Sequence, residues 1–164
     1  MRPAVVLLPL LVVLAGACSS AASEPVWTAK PSELPAASSD AVAELVIEVY
    51  KSPTCGCCHE WEAYLRAHGY AVRSVPTDDM AAVKAAHGLP EATWSCHTAV
   101  IDGYVVEGHV PIEAIEDLLT QRPAIEAIAL PGMPAGSPGM PGTKAGPFEI
   151  LSVTDGEVAV FGSY

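Results

Sequence analysis

The apolar positions change their spacing along the chain, and each change marks an element. A continuous apolar run from Ala4 to Leu14 follows a single positive charge, Arg2. The run LVIEVY after Glu44 is rich in β-branched residues and predicts a buried strand ending at Lys51. In EWEAYLRAHG, Trp61, Tyr64, Leu65 and His68 recur at helical spacing and Gly69 stops the helix. Tyr70 to Val75 predicts a second short strand, after which Asp78 or Asp79 caps a helix through MAAVKAAH that ends at Gly88. TAVIDGYVVEG (98–108) predicts a hairpin turning at Asp102-Gly103, and Pro111 opens a helix through IEAIEDLLTQ. Residues 130–147 are dense in Pro and Gly and contain two PGMP repeats, with Met133 and Met140 at matching places. FEILSV and EVAVFG, divided by Thr154-Asp-Gly156, predict a closing hairpin.

The order is therefore strand, helix, strand, helix, hairpin, helix. It predicts an α/β fold of the thioredoxin/glutaredoxin arrangement, a central mixed sheet with flanking helices, over residues 44–164. Ahead of it, residues 1–17 have the charge, apolar run and small residues of a secretory signal peptide, too short for a membrane span. Ala15-Gly-Ala17 offers an ordinary cleavage site. Leu14-Ala-Gly-Ala-Cys18 resembles a bacterial lipobox, with the Leu one place further from the Cys than usual, and would make Cys18 a lipid anchor. Residues 18–43, rich in Ser, Ala and Pro, read as a flexible tether. Both cleavage readings put the domain outside the cytoplasm, in the periplasm or cell envelope.

Charge narrows the partners. Of 164 residues, 8 are Lys or Arg and 19 are Asp or Glu, and the loss of Arg2 with the signal deepens the imbalance. An acidic chain argues against nucleic acid, and against anionic membrane except through the Cys18 anchor. The acidic excess itself reads as solvated surface.

The chemistry is concentrated in KSPTCGCCHEW (51–61), which puts Cys55, Cys57, Cys58 and His59 within five positions. Disulfides are the default for cysteines in an exported protein. Yet Cys57 and Cys58 are adjacent, and three cysteines in four residues pair poorly with one distant Cys96. At a strand-to-helix junction, the helix field and its free amides favour a thiolate, which serves disulfide exchange and soft-metal binding alike. The second element is SCHT (95–98) before the hairpin. Counting back from Gly103 puts His97, beside Cys96, where glutaredoxin-like proteins carry a cis-proline next to their C-x-x-C. Conditional on that fold, Cys55, Cys57, Cys58, Cys96 and His97 gather around one point, joined by His109 from the end of the hairpin. That is more than one tetrahedral zinc uses, whereas thiolates bridging more than one Cu(I) would use them all. Met133 and Met140 could add thioethers or guard the mouth, and Trp61 and Trp94 would shield the site. His68 and His87, at helix C-termini, read as structural, and Met80, at helical spacing, reads as core. His59 is open between ligand and solvent.

YKSPTCGCCHEW, TDDMAAVKAAHGLP, SCHTAVIDGYVVEGHVP and LPGMPAGSPGM together resemble the exported metal-binding proteins of the CopG type, associated with bacterial copper resistance and formerly catalogued as a domain of unknown function. The resemblance spans roughly residues 45–155. It implies a thioredoxin-like fold and a cysteine-bridged copper site on Cys55, Cys57, Cys58 and Cys96, with His97 and His109. It carries nothing over to His59. Copper is the implied ligand and an envelope copper exporter or oxidase the implied partner. The competing function is a thiol–disulfide oxidoreductase in which Cys55 attacks and Cys58 resolves.

Overall fold

The computed structural model describes residues 45–164; the signal peptide, Cys18 and the tether read from the sequence lie outside the described residues. Seven strands and three helices follow one another as β1 (Val46–Lys51), α1 (Gly56–Ala67), β2 (Ala71–Pro76), α2 (Met80–Ala86), β3 (His97–Ile101), β4 (Tyr104–Glu107), α3 (Ile112–Gln121), β5 (Ala127–Ala129), β6 (Glu149–Thr154) and β7 (Glu157–Ser163). They form one mixed sheet in the order β2-β1-β3-β4-β5-β6-β7. β1 is parallel to β2 and antiparallel to β3, and β3 pairs antiparallel with β4. This α/β architecture is consistent with a thioredoxin-like fold.

Local chemistry explains the boundaries. Asp79, of the two candidates, caps α2 by accepting the Ala82 N–H at 2.9 Å. Asp102 and Gly103 both take positive φ, as a two-residue type I′ hairpin requires. The C-terminal hairpin turns the same way at Asp155-Gly156. α3 buries Ile112, Ala114, Ile115 and Leu118 on one stripe, and α1 buries Cys58, Trp61, Glu62 and Leu65. These stripes meet Val49, Ala99, Ile101, Val106, Ile128 and Ile150 on one face of the sheet. The other face carries a smaller cluster of Leu89, Val105, Ala127 and Val153 with Trp94 against it. Successive residues Val105 and Val106 therefore serve opposite faces, as the pleat dictates. Leu118 is fully buried, so Leu118→Ala should lower unfolding free energy by about 2–5 kcal/mol in a denaturant melt.

Several expectations need correction. β5 and a short 3₁₀ turn at Glu91–Thr93 were not foreseen. Met80 is only partly buried, at the first turn of α2, so it is not core. The acidic residues are not all solvated: Glu62 and Glu107 are buried, each because a buried lysine faces it.

Candidate metal centre

The cysteine cluster sits where β1 hands over to α1. The Cys55 amide closes a turn by donating to the Ser52 carbonyl at 3.1 Å, and Cys55 becomes the helix N-cap in an extended conformation. A sulfur is a poor cap, and the Cys55 side chain makes no capping hydrogen bond. Its Sγ is left free for its neighbours. Cys57 and Cys58 follow in the first turn of α1, beside the unpaired amides of the helix N-terminus.

Cys55 and Cys58 are joined by a disulfide, and Cys57 and Cys96 are free. Cys57 Sγ lies 3.5 Å from Cys55 Sγ, and Cys96 Sγ lies 3.6 Å from Cys58 Sγ and 3.9 Å from Cys57 Sγ. Cys96 arrives from the loop before β3, brought there by the pairing of Lys51 with His97 across β1 and β3. All four sulfurs fall within 4.8 Å of one another.

A second group shares one of them. Cys96 Sγ is 3.2 Å from His97 Nδ1 and 3.0 Å from His109 Nε2, and these three ligand atoms also lie within 4.8 Å of one another. His97 and His109 flank the β3–β4 hairpin and meet edge to face, with ring centroids 4.9 Å apart. The chain can bring them together because Gly108 sits between them at φ +78°. A Cβ there would stand 2.6 Å from the Leu130 carbonyl and from the Ser95 side chain. Trp61 closes the inner wall, its ring 4.4 Å from His97 and its N–H given to the Val110 carbonyl at 3.1 Å. Trp94 packs against the smaller cluster on the other face, its ring N–H donating to the Leu89 carbonyl at 2.9 Å.

Both histidines are fully buried. Burial drives His97 well below the ordinary imidazole range, reinforced by His109 and then Lys84. Burial lowers His109 as well, against the opposing pull of the Pro138 carbonyl. Neutral imidazoles offer lone pairs to a metal. His97 Nε2 is buried with no hydrogen-bond partner, a cost that a native site retains for a reason. Burial, then Cys57, pushes the Cys96 thiol up to about 12, so a metal that takes its sulfur must displace a proton.

All six residues read from the sequence thus converge, Cys55, Cys57, Cys58 and Cys96 in one group and His97 and His109 with Cys96 in the other. His59 joins neither group. It is 57% exposed and lies against the Lys51 ammonium, 3.1 Å from Nε2. His68 donates a ring N–H to the Tyr64 carbonyl at 2.8 Å at the end of α1, and His87 packs beside Tyr50 at the end of α2. The supporting groups were the ones missed. Buried Lys84 pairs with buried Glu107 and donates to Thr98 Oγ1 at 3.0 Å. Glu107 also accepts the Ser95 N–H at 2.6 Å and the Thr98 hydroxyl at 2.7 Å, which pins the residue before Cys96. A lysine in MAAVKAA and a glutamate in YVVE are lone charges in apolar runs, which is the signal that could have found them.

A family model described as a protein of unknown function, DUF411, matches residues 93–140, the segment that carries Cys96, His97 and His109. None of the curated proteins matches. Among solved structures, copper resistance protein CopG in its form 2 is 42% identical, with a TM-score of 0.68, and the match covers 73% of this chain and 98% of that one. Form 1 of copper resistance protein CopG is 41% identical at the same TM-score, covering 74% of this chain and 98% of that one. At this identity over almost the whole of those chains, the present chain belongs to the CopG copper-resistance protein family.

Proposed function

We propose that this protein binds copper in the cell envelope, holding more than one Cu(I) ion in the Cys55, Cys57, Cys58, Cys96, His97 and His109 site, and serves copper resistance. The observation that carries the reading is the shared sulfur. Cys96 Sγ belongs both to the four-sulfur group and to the Cys-His-His group. A thiolate has lone pairs enough to bridge, and thiolate with imidazole selects soft, low-valent copper over hard cations. The printed name of the similar structures, copper resistance protein, supports the same metal.

The disulfide gives the site a redox reach. Cys55 and Cys58 as a dithiol hold two electrons, and their oxidation to the disulfide, with release of two protons, can reduce two Cu(II) to two Cu(I). Passing that copper on to an envelope exporter or oxidase belongs to the same reading, as do export through the 1–17 signal and anchoring at Cys18.

A second reading draws on the same bond. A C-x-x-C disulfide at the N-terminus of a helix is also what a thiol–disulfide oxidoreductase carries. One titration separates the two. The chain reduced under anaerobic conditions should take up at least two Cu(I) per molecule, and the disulfide form clearly fewer. Equal and negligible uptake by both forms, with a disulfide that exchanges readily with small thiols, would favour the oxidoreductase.

A further inference from the structure

Each of the two PGMP repeats touches a different ligand-bearing piece. In the first, the Gly132 N–H donates to the Trp94 carbonyl at 3.2 Å and the Ser95 hydroxyl donates to the Gly132 carbonyl, so it grips the chain just before Cys96. In the second, the Pro138 carbonyl lies 2.7 Å from His109 Nδ1. Gly139, at φ +79°, rides directly over the first turn of α1. A Cβ there would stand 2.7 Å from the Trp61 amide nitrogen and 3.0 Å from the Cys57 carbonyl oxygen. The repeat is held in that place from within: the Met140 N–H donates to the Ser137 carbonyl at 2.8 Å, and the Ser137 hydroxyl, itself buried, donates to the Pro134 carbonyl at 2.8 Å.

A carbonyl oxygen only accepts, so Nδ1 of His109 must carry the proton. In a neutral ring Nε2 then holds the lone pair, and Nε2 is the atom 3.0 Å from Cys96 Sγ. We propose that the second PGMP repeat is a positioning strap: the Pro138 carbonyl fixes the His109 tautomer and ring direction so that Nε2 faces Cys96, and Gly139 is the residue that lets the strap lie close enough to α1 to do so. Hydrogen-bond partners behind a metal-binding histidine orient it in this way. The strap rests on the copper reading only for its purpose; its geometry can be read without metal.

The test begins on the reduced, metal-free chain. Ring nitrogen shifts of His109 should report protonation at Nδ1. Gly139→Ala should scramble that tautomer and weaken Cu(I) binding by about 10–100-fold, the usual cost of losing such a partner. A proton on Nε2 in the unaltered chain overturns the strap, a reading that stands even if Gly139→Ala does not fold. So does a Gly139→Ala chain that is merely less stable, with tautomer and affinity intact, as a plain structural role would give. If the unaltered chain shows the Nδ1 proton but takes up no copper, the copper reading falls and the strap does not.

Discussion

Cys96→Ser should cost this protein most of its copper. Loss of a partner that merely orients a ligand weakens metal binding by roughly 10–100-fold. Cys96 stands closer than that: its sulfur lies within 4.0 Å of Cys57 Sγ, Cys58 Sγ, His97 Nδ1 and His109 Nε2. Its removal opens both groups at once, so the loss in Cu(I) affinity should exceed about a hundredfold, and the number of ions bound should fall. Serine keeps the size and a hydrogen-bonding group, and the residue is only partly buried, so the fold should survive. Competition against a chromophoric Cu(I) chelator measures the change. An unchanged affinity would show that the ligand set is wrong and would favour the oxidoreductase, which needs only Cys55 and Cys58.

Glu107→Ala should have the largest effect on stability. Glu107 and Lys84 are both buried, on the sheet face opposite α1 and α3, and the carboxylate also receives the Ser95 amide and the Thr98 hydroxyl. Removing it leaves a buried ammonium without its counter-charge. Breaking such a pair costs about 3–5 kcal/mol. For a domain of this size that is a fall of roughly 10–20 °C in Tm. Replacing both partners, as Lys84→Met with Glu107→Leu, should recover much of the loss, since a buried pair exchanged for apolar side chains is often neutral. The Ser95 amide would still lack its acceptor. The double variant should therefore fold well yet bind copper more weakly than the unaltered chain, because Ser95 precedes Cys96. Calorimetry and copper titration on the three chains check this. A Glu107→Ala chain that melts within a few degrees of the original would mean that the pair is solvated in practice.

The elements that could be read from the sequence are those whose pattern is local. The 3.6-residue spacing gave α1 and α3, the run of β-branched residues gave β1, and Asp102-Gly103 gave the β3–β4 turn. β5 escaped because three residues, Ala127–Ala129, are all buried and too few to show a period. Its identity comes from pairing parallel to β4, a contact made across α3. The convergence of the two cysteine segments was legible because one recognisable loop position, that of a missing cis-proline, put Cys96 and His97 opposite the C-G-C-C turn. The Lys84–Glu107 pair was not legible. Its members lie 23 residues apart, and although each stands as a lone charge in an apolar run, only the folded sheet brings the two together. The bond between Cys55 and Cys58 belongs to a third kind: spacing allows it, and redox state decides it.

The most direct test of the shared-sulfur site is X-ray absorption at the copper edge on the reduced, Cu(I)-loaded chain. Bridging by Cys96 predicts a sulfur-dominated shell with some imidazole nitrogen and a copper–copper scattering path, the last of these lost in Cys96→Ser. Isolated copper ions with no metal neighbour, unchanged by that substitution, would contradict it.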